Sequence, residues 1–275
     1  MISIVQLGTI DYATGLRLQQ RLVEMRKARR VGDVLLLLEH SPVITLGRNA
    51  KAANVLASAE QLAKRGVEVF ECDRGGDVTF HGPGQLVAYP IFDLHGFVSS
   101  DPQRKNLGAV EFVRRLEEVL IRTCAAFSIN TERVKGLTGV WTCGGGSLTR
   151  PDRSETHSPM SSSQAKIAAI GVHISRGVTS HGFALNVNTD LDYFNLIIPC
   201  GISSRPVTSM QKQLGRNISL DEVAKAVSRN FGDVFGSEIA TVDTLEELTG
   251  NAVGVPMRPP AELRKLHKEE ETSWA

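Results

Sequence analysis

The run VLLLL at residues 34–38, closed by Asp33 before it and by Glu39 and His40 after it, restricts this chain's fold more than any other segment. Five aliphatic side chains in a row cannot alternate between core and solvent, so a strand here has to be buried on both faces. The run is far short of the roughly 20 apolar residues that cross a bilayer. It therefore calls for a sheet with helices packed against it, and the neighbouring sequence supplies them.

Residues 11–30 carry Leu18, Leu22 and Met25 at i, i+4 and i+7, the spacing of an amphipathic helix, after a short strand at 2–7. Ser58 and Gln61 form a capping box for a short helix that Gly66 closes. A longer helix is expected at 107–127, striped by Val113, Leu116, Leu120, Cys124 and Phe127. Ser219 and Glu222 open another, striped by Val223, Val227, Phe231 and Val234, and Thr244 with Glu247 opens a last short one. VEVFEC, QLVAYPIFDL, TGVWT, KIAAIGVHIS and VTSHGFALNVN read as strands. Strands in runs with hairpin-length links predict an α+β fold: a single domain whose mixed, largely antiparallel sheet is flanked by helices. The folded domain is expected to span 1–250. It would contain a mobile, Ser- and Gly-rich loop at about 143–164 and end in a frayed, charged tail at 251–275.

Charge excludes some partners. A formal net charge of +1 over 275 residues gives no overall pull toward nucleic acid or a membrane surface. The four cysteines, Cys72, Cys124, Cys143 and Cys200, form no CxxC pair, which argues against structural zinc or a disulfide framework. With no basic segment ahead of an apolar stretch at the start, free thiols suggest the cytoplasm.

The chain lacks a GxSxG elbow, a phosphate loop, an HExxH helix and a complete GxGxxG. Three segments remain as carriers of chemistry. DRGGDVTFHGPGQLVAYP at 73–90 concentrates glycine and proline beside Arg74, Asp77 and His81; an ordinary hairpin loop would show the same turn residues. AKIAAIG at 165–171 puts Lys166 at the head of an aliphatic strand, where a solvated lysine is the plain alternative. IIPCGISSRPVTSM at 197–210 sets Cys200 in a Pro-Cys-Gly turn, although cysteine is among the most buried residue types.

Taken together, RGGDVTFHGPGQLVAYPI, KIAAIGVHISRGVTSHGFALNVN and FNLIIPCGI resemble the lipoyl(octanoyl) transferases over roughly residues 3–235. The resemblance implies the catalytic fold of the biotin and lipoate protein ligases. It also implies transfer of an octanoyl or lipoyl group from acyl carrier protein to a lysine of lipoyl domains, those of 2-oxoacid dehydrogenases and the glycine cleavage H protein, with no cofactor and no metal. Cys200 would be the acyl-thioester nucleophile and Lys166 the cation that lowers its pKa; a nearby ammonium stabilises a thiolate. Substrate contacts would fall on Arg74, Gly75, Gly76, Asp77, Val78, Thr79, Phe80 and His81, on Ala169, Ile170 and Gly171, and on Gly182, Phe183 and Ala184. Two departures stand out: Phe80 replaces a tyrosine common in the family, and the segment before Lys166 is longer than usual. His81 and His181 are each open to a positioning, structural or catalytic role. The glycines of RGGD and HGPG would let main chain approach the thioester. Basic clusters at Arg26, Lys27, Arg29, Arg30 and at Arg133, Lys135 are candidates for docking the acidic carrier.

Two other functions compete. An ATP-dependent lipoate or biotin ligase on the same fold would need no cysteine nucleophile, and ATP-dependent activation of a free acid would reveal it. A non-catalytic protein that binds acyl groups or acyl carrier protein would be expected to lose the nucleophile, which this chain keeps.

Overall fold

The computed structural model describes residues 1–143, 164–199 and 205–249. Among these, eight strands form one sheet. β1 (Ile2–Ile10) lies parallel to β2 (Asp33–His40), because helix α1 (Tyr12–Lys27) carries the chain back across the sheet between them. Three short strands precede the next member of this sheet: β3 (Val43–Leu46), β4 (Glu68–Glu71) and β5 (Val78–His81). β6 (Gln85–Ile91) then pairs antiparallel with β2, and the long hairpin β9 (Lys166–Ser175) and β10 (Val178–Asn186) continues the sheet antiparallel from β6. β7 (Thr131–Glu132) and β8 (Val140–Thr142) extend it beyond β9, and β11 (Ile239–Thr241) adds a parallel edge beside β1. The sheet is mixed and largely antiparallel, as expected.

The aliphatic run in β2 is buried on both faces. Val34, Leu36 and Leu38 pack with Leu18, Leu22 and Val23 of α1. Leu35 and Leu37 point the other way, into the cluster that holds α3 (Ala109–Ala126) and α5 (Leu220–Phe235). α3 and α5 meet the sheet through Phe112, Leu116, Val227 and Phe231, with Phe92 making edge contacts to Phe112, Phe231 and Phe235. The stripe of α3 is rotated slightly from the one read in the sequence: Phe112 is buried, and Val113 and Phe127 sit half-buried at its edge. The caps match the sequence: Ser58 and Gln61 form a complete capping box on α2 (Ala59–Lys64), and Ser219 accepts from the Glu222 N–H at the start of α5.

The stretch 73–90 is not one loop. Val78–His81 form β5, which pairs antiparallel with β3, and β4 pairs parallel with β3 to make a second, three-stranded sheet. That sheet has its own apolar cluster: Ile44, Val78 and Phe80 with Phe194 and Ile197. α4 (Met210–Leu214) and α6 (Leu245–Thr249) complete the described helices. Most of the Ser-rich segment at 143–164 and the tail from 251 lie outside the described residues.

Candidate active site

The β9–β10 hairpin is the floor of the site. Arg176 and Gly177, both at positive φ, make its two-residue turn, a backbone that glycine adopts freely. The register then sets Gly182 opposite Gly171 and Ala184 opposite Ala169, with Val87 of β6 next to Ala184. These small side chains leave a lane along the sheet. Above it stand Thr79 and His81 from β5, Tyr12 from α1 and the 74–77 loop, enclosing a cavity of about 190 Å³. Lys166, Gly136, Leu137 and Thr138 also line it.

Several glycines in this region fit the protein's own backbone. A Cβ on Gly171 would lie 2.7 Å from the Gly75 carbonyl, and one on Gly47 would lie 2.5 Å from that of Gly76 and 2.7 Å from the Arg74 guanidinium. The close approach lets the 74–77 loop settle on β9, fixed by the Gly75 N–H bond to Val172 (3.0 Å). Arg74, 8% exposed, donates to the Thr45 carbonyl (2.6 Å) and hydroxyl and to the Gly75 carbonyl. Its cation is thus held at the cavity wall. Asp77 accepts from Val78 N–H (2.8 Å), Lys51 N–H and the Asn54 amide (2.6 Å), which ties the 47–55 segment to the start of β5.

Strand alternation divides the candidate substrate contacts. Arg74, Gly76, Asp77, Thr79, His81, Ala169, Gly171, Gly182 and Ala184 are brought together at the cavity, with Lys166; Ile170 and Phe183 also line it, although their side chains pack into the cluster that holds α3 and α5. Val78 and Phe80 do not line it, because successive side chains of a strand face opposite ways. They point into the second apolar cluster, where Phe80 stacks on Tyr193 with centroids 4.7 Å apart. Phe80 is therefore packed in a core. Gly75 contributes its backbone to the junction with β9.

Lys166 is 8% exposed, and its Nζ lies 4.8 Å from the centre of the Trp141 ring. Its backbone is held on both sides: its N–H donates to Pro206 and its carbonyl accepts from Thr208 N–H, each at 2.9 Å. On the other flank, Ile198 N–H donates to Asn54 (2.8 Å). In sequence, Cys200 follows Ile198 and precedes Pro206, and it lies outside the described residues.

Histidines and tyrosines cluster at the cavity. Tyr12 stacks on His81 and meets His40 edge-on, with centroids 6.3 and 5.3 Å apart. His40 bonds the Tyr89 hydroxyl (2.7 Å) and the Ile10 carbonyl (3.0 Å). Burial pushes His40 down to about 4 and His81 to about 3, so both rings are neutral near pH 7. His81 Nδ1 lies 2.7 Å from Gln85 Oε1, and the Gln85 amide nitrogen reaches the Phe80 carbonyl (3.1 Å) and Asn186 Oδ1 (2.9 Å). His181 takes a left-handed backbone (φ 55°), unusual for a non-glycine residue; its N–H donates to Gln19 and its Nε2 lies 2.7 Å from Asp73. That hydrogen bond is the largest cause holding the Asp73 carboxyl at about 2.

Sequence reasoning missed Tyr12, Val87, Tyr89 and residues 136–138, all of which line the cavity, and Gln85 and Asn186, which support His81. Tyr12 sits in the first turn of an amphipathic helix, where its pattern reads as core. Gln85 sat in view, as a lone amide between HGPG and an aliphatic strand.

Residues 11–232 match the model of the lipoyl protein ligase A/B catalytic domain. The chain is 56% identical over 270 residues to an octanoyltransferase of Koribacter versatilis (strain Ellin345), covering 98% of each. It is 54% identical over 250 residues to an octanoyltransferase of Acidobacterium capsulatum, covering 90% of this chain and 96% of the relative. Among solved structures it resembles a lipoate-protein ligase A bound with ATP (TM-score 0.62, 16% identity, 89% and 90% coverage). It also resembles the bipartite lipoate protein ligase of Thermoplasma acidophilum (TM-score 0.61, 16% identity, 89% and 88% coverage). At these identities the structural likeness speaks for the fold, which is the one expected.

Proposed function

From the premise that this chain belongs to the octanoyltransferases of the lipoyl protein ligase A/B catalytic family, and is an enzyme of that family, we propose that it moves an octanoyl or lipoyl group from acyl carrier protein to a lysine of a lipoyl domain through a thioester on Cys200. The Cys200 thiolate attacks the carrier's thioester, a new C–S bond forms, and the carrier leaves as its thiolate. The acceptor amine then attacks the acyl-enzyme, the C–N bond forms, and the C–S bond breaks with its electron pair on the Cys200 sulfur. Splitting the transfer this way replaces one difficult exchange with two easier ones.

The observation that carries this reading is the Lys166 cation at a cavity floored by Ala169, Gly171, Gly182 and Ala184, where the other cation, Arg74, is already tied to Thr45. An apolar lane suits a fatty chain, each buried methylene contributing about 0.8 kcal/mol. The Lys166 backbone is bonded to Pro206 and Thr208, which follow the segment containing Cys200. A thiolate near that ammonium is stabilised by its charge. Arg74, Gly76, Asp77, Thr79 and His81 roof the acyl group; Gly75 holds their loop to β9, and Val78 and Phe80 anchor β5 from behind. The acceptors are lipoyl domains of 2-oxoacid dehydrogenases and the glycine cleavage H protein, and the setting is the cytoplasm. Among the described residues no helix is long and apolar enough to cross a membrane.

Intact mass spectrometry after incubation with octanoyl-acyl carrier protein tests the reading. One hydroxylamine-labile octanoyl adduct on Cys200, discharged by a lipoyl domain, is expected; turnover without an adduct that a Cys200→Ser variant sustains rules it out.

A further inference from the structure

The hydrogen bonds around His81 determine where its proton sits. Asn186 Nδ2 must be the atom facing the Thr208 carbonyl (2.9 Å), since a carbonyl only accepts. Its Oδ1 therefore faces Gln85, whose Nε2 donates to it and to the Phe80 carbonyl. The remaining Gln85 oxygen can only accept, so His81 must carry its hydrogen on Nδ1. No ambiguity of amide orientation or ring tautomer survives, because the chain of bonds ends on backbone carbonyls.

That leaves Nε2 as a lone-pair acceptor. It makes no hydrogen bond among the described residues, is not an enclosed unpartnered atom, and belongs to a ring that lines the cavity. The relay also reaches the reaction end of the site: Thr208, whose carbonyl anchors Asn186, bonds the Lys166 carbonyl through its N–H.

We propose that Gln85 and Asn186 are positioning residues that lock His81 as its Nδ1–H tautomer, so that Nε2 stands as a fixed acceptor for an N–H of the attacking lysine amine. The proposal rests on the octanoyl-transfer reading. The hydrogen bond aims the nitrogen lone pair at the acyl carbonyl. In the step itself the C–N bond forms, the C–S bond breaks, and the proton released from nitrogen ends on the Cys200 sulfur. His81 orients that proton without keeping it. Burial, with His40, Arg74 and His181 adding their fields, opposes an imidazolium, Gln85 alone favours it, and Tyr12 stacks on the ring face.

The test is two-bond ¹H–¹⁵N correlation of the histidine rings in the full chain, with His81 identified by the signal lost in His81→Asn. A proton on Nδ1, unchanged from pH 5 to 9, is expected; a proton on Nε2, or titration in that range, overturns the proposal. Gln85→Met should release the tautomer and slow amide formation from the octanoyl-enzyme at least 10-fold more than it slows acylation. A Gln85→Met protein with the wild-type tautomer and the wild-type ratio of the two rates overturns the relay. Absence of any octanoyl adduct on the wild-type chain defeats the transfer reading and the amine assignment with it, whereas the ring spectrum still decides the relay.

Discussion

At the scale of single residues, the proposed chemistry separates charge from proton transfer. Cys200→Ser should abolish acyl transfer and leave the fold intact, and loss of Cys72, Cys124 or Cys143 should not. Burial pushes the Cys124 thiol up to about 12 and also raises Cys143, neither being the environment of a nucleophile. Lys166→Met should reduce alkylation of Cys200 by iodoacetamide at neutral pH, by about tenfold for each pKa unit regained by the thiol. Lys166→Arg should restore alkylation but not acyl transfer if the lysine also passes the amine's proton on to the departing Cys200 sulfur, because guanidinium keeps its proton at any working pH. Identical alkylation profiles in wild type and Lys166→Met would falsify the ion-pair role. Lys166 stood out at the head of an aliphatic strand, where a solvated lysine was the plain alternative, and only the family resemblance gave it a role; the structure puts it at the cavity. Tyr12 and Tyr89 were not legible, since an aromatic on a helix or strand is ordinary core until the topology turns it toward a cavity.

At the scale of elements, legibility followed length, with the short strands β4 and β8 as exceptions, read in VEVFEC and TGVWT. β2, β9 and β10 and helices α1, α3 and α5 have enough residues to show a period or an unbroken run, and their caps are local chemistry. β3, β5 and β11 have three or four residues each, too few for a pattern, and are held by partners distant in sequence. β5 was further hidden between two glycine pairs that read as turns. The pairing of β9 with β10 makes a prediction of its own. Ala184 lies between Ala169 and Val87 and is 3% exposed, so Ala184→Val places two methyl groups in the lane. Its kcat/KM for octanoyl donors should fall about 10-fold relative to hexanoyl donors, the size of effect one or two methylenes produce in an apolar pocket. An unchanged ratio would mean that the acyl chain does not lie on this part of the floor.

At the scale of the whole molecule, the structure sorts the basic clusters proposed for carrier docking and sets the response to acid. Arg26 pairs with Asp33 (2.8 Å), and Arg133 with Glu117 and Glu118 (3.2 and 2.8 Å), so reversing either charge disturbs the protein's own ion pairs. Arg29 and Arg30 make no ion pair with the described residues, and reversing these two is the cleaner test: KM for the carrier should rise and its salt dependence flatten. Equal salt slopes in variant and wild type would remove that surface. Acid acts through the core. His40 and His81 are held neutral by burial at about 4 and about 3, below the 6.5 of a free imidazole. The unfolded chain therefore binds protons at these sites that the folded chain refuses, and stability must drop as pH falls below about 6.5. Each ring contributes a loss of about 2 kcal/mol by pH 5. Asp73 acts in a separate window: its carboxyl is depressed to about 2, so the stability it adds is full above about 4 and disappears as pH falls toward 2. Urea unfolding at pH 7, 6 and 5 isolates the histidines, because Asp73 stays ionised throughout. Wild type should lose several kcal/mol across that range, and His40→Gln, whatever its stability at pH 7, should lose about 2 kcal/mol less. A stability that stays level from pH 7 to pH 5 would mean that these buried rings take up protons as easily in the folded protein as in the unfolded chain.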